Sequence, residues 1–180
     1  MVQELFQKAM KFAGEKHYRQ KVPGTDANYL LHIANVAMEV MIAHSVTNDF
    51  DLEYAVQVAI LHDTLEDTDT TFEELNNIFG EKIAKGVEAL TKNKSLPTKR
   101  ERIIDSLNRI NALEKEIGIV KLADRITNLQ PPPQSWEIEK RKNYLEEAKL
   151  ISRMLQNKNE YLENRLKEKI EEYKNYLAVN

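Results

Sequence analysis

One segment near the middle of the chain constrains the fold more than any other. Residues 54–61, Tyr-Ala-Val-Gln-Val-Ala-Ile-Leu, are apolar almost all round when they are drawn as a helix. A helix without a polar face must be covered on every side, so the pattern predicts a central buried helix. Asp51, shortly before the segment, is a typical N-cap residue. The fold must therefore enclose this one helix with other elements.

The rest of the chain also favours helix over sheet. Only five glycines and five prolines occur in 180 residues, and the abundant straight-chain residues lose little side-chain entropy in a helix. Thr71 and Glu74 have the spacing of a capping box. The expected fold class is all-α, a helical bundle. Apolar spacing and turn formers predict helices at about 2–17, 30–44, 51–61, 71–80, 81–92, 98–114, 117–129, 136–156 and 159–177.

A triple proline at 131–133 interrupts this series late in the chain and could mark a domain boundary. The segment after it is too polar to build a core alone, and its Glu/Lys spacing is typical of solvated helix faces. We therefore expect a single domain over residues 1–180. Its core would span about 5–150, with two long C-terminal helices at about 136–177 packed on it.

Charge and residue content exclude several kinds of partner and site. With 26 basic and 29 acidic residues the net charge is −3, which gives no general attraction for nucleic acid or anionic membranes. The absence of cysteine leaves histidine, aspartate and glutamate to bind any metal. No apolar run approaches the roughly 20 residues of a membrane span, and the charged N-terminus does not resemble a signal peptide. A cytoplasmic location is expected.

The buried helix ends in a sharply polar run. Residues 62–69, His-Asp-Thr-Leu-Glu-Asp-Thr-Asp, place five acidic or imidazole side chains within eight positions. Clustered carboxylates are costly unless a cation or solvent neutralises them. A His-Asp pair alone is weak evidence, but this context indicates a cation site at the end of the buried helix.

Further ligands must come from other segments, because one helical turn cannot supply a full set. His32 begins a predicted helix, and Asp124 is the one carboxylate in an apolar run. Asp124 could instead pair with Lys121 or Arg125, and His32 could be an ordinary buried histidine. Two imidazoles with two carboxylates suit manganese, iron, zinc or magnesium. The remaining histidines lack such context and are interpreted as surface or supporting groups: His17 and His44.

Five short segments match one known group of proteins in their residues and in their order along the chain. They are Tyr-Leu-Leu-His at 29–32, Ala-Ile-Leu-His-Asp-Thr-Leu-Glu-Asp-Thr at 59–68, Phe-Gly at 79–80, Leu-Thr-Lys at 90–92 and Val-Lys-Leu-Ala-Asp-Arg-Ile-Thr-Asn-Leu at 120–129. The set resembles the hydrolase domain of RelA/SpoT-type alarmone enzymes and their small stand-alone relatives. That group belongs to the HD superfamily of metal-dependent phosphohydrolases, so the resemblance implies an HD-type helical bundle. The resemblance covers roughly residues 5–150.

The resemblance implies removal of pyrophosphate from the 3′ position of guanosine tetraphosphate or pentaphosphate. It implies one divalent metal, usually manganese, with four ligands: His32, His62, Asp63 and Asp124. It implies two carboxylates that position and deprotonate the attacking water: Glu66 and Asp67. Of the two, we expect Glu66 to be the base, because it lies one turn beyond His62 on the same helix. The candidate substrate contacts, of which the last matches a nucleotide-binding residue of the family, are Lys21, Lys121 and Asn128.

Two positions depart from the family pattern. Val22 and Pro23 stand where an Arg-Lys pair normally contacts substrate phosphates, and Ile33 replaces a proline after the first histidine. Lost charge-assisted phosphate contacts could mean a different nucleotide or phosphate ester. The competing hypotheses are a nucleotidase or other phosphomonoesterase on the same metal site, a non-catalytic nucleotide-sensing module, and a purely structural helical protein. The expected partner is a small phosphorylated nucleotide, and the C-terminal helices could also form a homo-oligomer.

Overall fold

The computed structural model describes residues 1–177, and most of that stretch is helical, as the all-α prediction requires. A short 3₁₀ turn, Lys174–Tyr176, follows the last helix. The ten α-helices of the described chain are α1 (Val2–Lys16), α2 (Leu30–Thr47), α3 (Leu52–Leu61), α4 (Thr64–Asp67), α5 (Phe72–Phe79), α6 (Glu81–Leu90), α7 (Lys99–Asn111), α8 (Lys115–Asn128), α9 (Ile138–Met154) and α10 (Glu160–Tyr173).

Helix α3 is the central helix that the apolar run predicts. Every residue from Tyr54 to Leu61 is buried, and α1, α2, α6 and α8 pack around it. The carboxylate of Asp51 caps its first turn by accepting from the backbone N–H of Tyr54 at 3.0 Å. Because α3 is enclosed on all sides, its C-terminal end presents the polar run at a fixed place in the fold.

The polar run and the segment after it differ in detail from the prediction. Residues 64–67 form a separate one-turn helix, α4, which the sequence pattern did not indicate. Thr71 caps α5 by accepting from the backbone N–H of Glu74 at 3.1 Å. The carboxylate of Glu74 does not return to Thr71, because it pairs with Lys16 at 3.1 Å. The predicted capping box is therefore only half formed, while Thr98 and Glu101 form a complete one at α7.

The two C-terminal helices pack on the body of the protein. Helix α10 contacts α2, α8 and α9, and Leu162, Leu166 and Ile170 join the same buried cluster as the residues of α3. The proline segment is therefore a connection within one core, and the described chain forms a single domain.

Helix α2 is more apolar along its length than the sequence patterns indicated. Its 18 residues have a mean hydropathy of 1.3, so by length and composition it could cross a membrane. Its packing against α3, α8 and α10 is typical of a core helix of a soluble protein. It also carries a buried carboxylate, Glu39, which accepts from both Nε and Nη2 of Arg165 at 2.7 and 2.6 Å.

Removing the partner of this buried carboxylate should destabilise the fold. Arg165→Met would leave Glu39, whose side chain is 6% exposed, without its cation. Breaking a fully buried pair costs about 3–5 kcal/mol, and because Arg165 is partly exposed we expect about 2 kcal/mol off the free energy of unfolding. Urea denaturation measures the change, with Lys167→Met, an exposed site on the same helix, as the control. Equal stability of the two variants would contradict this role.

Candidate metal centre and substrate cleft

Three helices bring metal-binding side chains to one buried point. His32 lies in the first turn of α2, His62 directly follows α3, and Asp124 lies in α8. One ligand atom of each lies within 4.8 Å of the others, and all three residues are buried. The two Nε2 atoms are 3.3 Å apart, and Asp124 Oδ1 is 3.4 Å from that of His32 and 3.7 Å from that of His62. These three side chains can hold one metal ion.

The surroundings of these atoms fit a cation. His62 Nδ1 lies 2.7 Å from the carbonyl oxygen of Ala59, which can only accept, so Nδ1 carries a hydrogen and Nε2 is the nitrogen that would bind a metal in place of a proton. Burial disfavours a charged imidazole, yet the carboxylates of Asp63 and Asp124 outweigh it and raise the pKa of His62 to about 10. The site therefore draws positive charge to its centre, and its nitrogen and oxygen donors suit several divalent metals.

Asp63 lies beside this cluster. Its Oδ2 is 2.9 Å from His62 Nε2 and 3.7 Å from His32 Nε2. The hydroxyl of Tyr29 donates to the same oxygen at 2.5 Å. Burial and the adjacent carboxylate raise the pKa of Tyr29, so the phenol remains a donor. Burial opposes ionisation of Asp63, but the neighbouring imidazoles prevail and lower its pKa.

Asp124 is held from both directions along α8. Lys121 donates to Oδ2 at 2.9 Å, and Asn128 donates to Oδ1 at 2.5 Å. Burial disfavours its charge, but Lys121 and the histidines lower its pKa. The alternative ion pair with Lys121 is thus present together with the histidine contacts. Arg125 instead pairs with Glu147 on α9.

The two carboxylates of α4 have different surroundings. Both oxygens of Glu66 accept from Lys92, one from Nζ at 2.9 Å and one from the backbone N–H at 3.1 Å. Asp67 accepts at Oδ2 from the side-chain amide of Gln20 at 2.9 Å. Burial raises the pKa of Asp67, and the charges of Asp63 and Glu66 act in the same direction against the hydrogen bond from Gln20. Both α4 carboxylates line the cleft.

A cleft of about 1100 Å³ opens over this centre. Of the described residues, nine cationic and six carboxylate side chains line it, although the chain as a whole has a net charge of −3. Three of the cations pair with carboxylates; within residues 1–177 the other six have no carboxylate within 4.0 Å. The nine are Lys92, Lys94, Lys99, Arg100, Arg102, Lys121, Arg125, Lys140 and Arg153.

Most of these cleft cations were not predicted as substrate contacts from the sequence; Lys121 was the exception. The basic residues between 92 and 102 are visible as a cluster in the sequence, and they were the available signal. Only the fold shows that they face Lys140 and Arg153 of α9 across one cleft. The aromatic rings of Trp136 and Tyr144 line the same cleft. Their centres lie 5.1 Å apart, and the rings meet edge to face.

The structure places other candidates away from the cleft. Lys21 is exposed and pairs with Asp26 at 2.6 Å, and it does not line the cleft. Val22 and Pro23 lie in the same loop, also outside the cleft lining. The surface interpretation of His17 is wrong, because this residue is only 1% exposed. His44 is half-buried and lies edge to face against Phe50.

Comparison with known proteins agrees with this geometry. A sequence model of the HD domain matches residues 9–161. Guanosine-3′,5′-bis(diphosphate) 3′-pyrophosphohydrolase MESH1 of Danio rerio is 35% identical over 164 residues, 88% of each chain. The guanosine-3′,5′-bis(diphosphate) 3′-pyrophosphohydrolase of Aquifex aeolicus is 37% identical over 71% of this chain but only 18% of its own length. A solved metazoan ortholog of SpoT, which hydrolyses ppGpp, has a TM-score of 0.80 at 29% identity, covering 97% of both chains.

Proposed function

We propose, because this chain belongs to the HD domain family, that it is a metal-dependent 3′-pyrophosphohydrolase of guanosine tetraphosphate or pentaphosphate. The observation that carries the proposal is a buried His/His/Asp centre within a cleft that nine cationic side chains line. A polyanionic nucleotide is the small molecule that such a cleft suits best. Relatives along nearly the whole chain are named for this reaction.

We also propose a cytoplasmic location and one domain over residues 1–180.

The proposed metal ligands are His32, His62, Asp63 and Asp124, and the proposed metal is manganese. When bound, a divalent cation would acidify water and stabilise the negative charge that develops on phosphoryl oxygens. Tyr29 keeps Asp63 oriented through its hydroxyl. Lys121 and Asn128 do the same for Asp124 from positions one turn to either side. These contacts hold the ligands in place before substrate arrives.

We assign the proton acceptor to Asp67 and a supporting role to Glu66. A general base needs an oxygen within hydrogen-bond reach of the water. Both oxygens of Glu66 are already bound by Lys92, while among residues 1–177 Asp67 accepts only one side-chain donor, from Gln20. Glu66 therefore fixes Lys92 at the cleft, and Asp67 takes the proton as water attacks phosphorus. Guanosine tetraphosphate would yield guanosine 5′-diphosphate and pyrophosphate.

The cationic and the aromatic side chains of the cleft suit the two parts of a nucleotide. The unpaired cations would bind the phosphate groups through charge-assisted hydrogen bonds. Trp136 and Tyr144 offer aromatic faces and edges for the base or ribose. Cations already lie on both rings, with Lys140 Nζ 4.1 Å from the centre of Trp136 and the Arg125 guanidinium 4.5 Å from that of Tyr144.

A nucleotidase or other phosphomonoesterase is the second candidate. The observation that favours it is the loop after α1, where Val22 and Pro23 replace the basic pair of the family and Lys21 is engaged by Asp26. The test incubates metal-loaded protein with guanosine tetraphosphate and a panel of nucleoside mono-, di- and triphosphates, and separates the products by ion exchange. Pyrophosphate from the tetraphosphate supports the first candidate. Inorganic phosphate from another nucleotide, with the tetraphosphate intact, supports the second.

The cationic wall gives a further prediction. The double variant Lys99→Gln/Arg100→Gln removes two exposed cations that line the cleft. A lost charge-assisted contact costs about 1.5–3 kcal/mol, and because these side chains are exposed we expect KM for the tetraphosphate to rise about 10-fold. The kcat should change little, since neither residue lies at the metal centre. Initial rates at several substrate concentrations separate the two constants.

The matched control is Lys11→Gln/Lys142→Gln, which removes the same charge from exposed positions outside the cleft. Its KM should remain within about twofold of the parent value. An equal rise in both double variants would show that only net charge matters. The cleft wall would then not be the phosphate site.

A further inference from the structure

A chain of hydrogen bonds runs from the end of α1 to the carboxylate of Asp67. His17, the C-cap of α1, places Nδ1 2.7 Å from Oε1 of Gln20, and Gln20 Nε2 donates to Asp67 Oδ2 at 2.9 Å. The backbone of Gln20 is also held at both ends. Its N–H donates to the carbonyl of His17, and its carbonyl accepts from the N–H of Tyr29, each at 2.9 Å. Gln20 is thus fixed between α1 and the start of α2.

The chemistry of Asp67 fixes the orientation of the Gln20 amide. An ionised carboxylate can only accept, so the NH₂ group of Gln20 must face Asp67. A flipped amide would bring two acceptors together there. Oε1 of Gln20 therefore faces His17, and His17 Nδ1 must carry the hydrogen.

The other nitrogen of the His17 ring supports this assignment. Nε2 is buried and has no hydrogen-bond partner among the described residues. With the hydrogen on Nδ1, a neutral ring leaves only a lone pair at this position. A protonated ring would bury an unpaired donor as well as a charge. Burial lowers the pKa of His17, which keeps the ring neutral.

We propose that His17 and Gln20 are positioning residues for the proton acceptor Asp67. This inference rests on the proposed function, in which Asp67 takes a proton from the attacking water. Gln20 holds one carboxylate oxygen with a neutral donor, and the other has no side-chain donor in the described part of the chain. The hydrogen bond between His17 Nδ1 and Gln20 Oε1 holds the amide in this orientation. Neither residue gives up or gains a proton during the reaction.

The first test is a double-variant cycle on kcat for guanosine tetraphosphate. Gln20→Met keeps the length of the side chain but removes the donor, and we expect kcat to fall about 3- to 10-fold with KM within about twofold. His17→Leu should give a similar loss, because it frees the amide. The combined variant should lose no more than either single variant, since His17 acts through Gln20. Losses that multiply would overturn the proposal.

A conservative variant separates positioning from packing. His17→Asn keeps an N–H donor near the position of Nδ1, so it should restore most of the kcat that His17→Leu loses. His44→Leu removes a histidine that packs on Phe50, away from Asp67, and should leave kcat unchanged. If His17→Asn were as slow as His17→Leu, the hydrogen bond to Gln20 would not be what His17 contributes.

The second test does not depend on turnover. The pKa of Asp67 is measured by carbon-13 NMR of its carboxyl group, in protein without paramagnetic metal. The groups that face Asp67 are His17 and Gln20 from the α1 side and Asp63 and Glu66 from its own segment. Loss of the donated hydrogen bond should raise this pKa in Gln20→Met and in His17→Leu but not in His17→Asn.

The two tests separate this inference from the proposed function. If the parent protein hydrolyses no tetraphosphate, the proposed function fails, and the pKa comparison still decides whether Gln20 and His17 hold the carboxylate. An unchanged pKa in Gln20→Met would overturn the positioning role. The same variant with full kcat, in an active parent, would overturn it as well.

Discussion

His62→Ala is expected to abolish binding of a divalent metal and to slow pyrophosphate release by at least about 10³-fold. A bound cation contributes several kcal/mol to stabilising a phosphoryl transition state, and each 1.36 kcal/mol is tenfold in rate. His62 supplies one of the three mutually close ligand atoms. Its ring is also already oriented by the carbonyl of Ala59. Alanine removes the ligand and the imidazole that contacts the carboxylates of Asp63 and Asp124.

Elemental analysis of purified protein tests this expectation directly. The parent should hold about one divalent metal per chain, as the single three-ligand cluster of the described chain suggests. Adding manganese should raise the Tm of the parent but not that of the variant, because only the folded parent would bind it. His44→Ala is the control, since His44 lies outside the cluster. Equal metal content in parent and His62→Ala would refute the assignment, provided that circular dichroism shows both to be helical.

The sequence predicted those parts of the site that depend on chain order and periodicity. The all-round apolar run at 54–61 requires a covered helix, and the polar run must then lie at its end. His32 and Asp124 stood out because each interrupts or begins an apolar helix. The same local patterns gave the positions of most helices to within a few residues. The structure confirms that His32, His62 and Asp124 converge.

Other features depend on which surfaces the fold brings together, and local patterns do not contain that information. The basic residues 92–102 and those of α9 are far apart in sequence but face one cleft. His17 has no apolar periodicity that marks it as buried, yet α1 ends against Tyr29, whose ring centre lies 5.1 Å from that of His17. The spacing of Thr71 and Glu74 could not show that Lys16 competes for the glutamate.

The same limit applies to the two acidic residues of α4, of which the sequence spacing favoured Glu66 as the base. They differ only because Lys92 arrives from the end of α6 and Gln20 from the loop after α1. A lysine that binds both oxygens of Glu66 leaves little room for water there. An amide that binds one oxygen of Asp67 orients the carboxylate without neutralising it. Tertiary contacts thus distinguish two neighbouring carboxylates that the chain order presents as a pair.

Asp67→Asn is therefore expected to slow hydrolysis of guanosine tetraphosphate by about 10²–10⁴-fold, the usual range for loss of a general base. Metal content should stay at the parent level, because Asp67 is not one of the proposed ligands. Glu66→Gln, the matched control, keeps an acceptor for Lys92 and should lose much less activity. Single-turnover rates with saturating metal measure both variants under the same conditions. A large loss in Glu66→Gln with near-normal turnover in Asp67→Asn would reverse the two roles and assign the proton acceptor to Glu66.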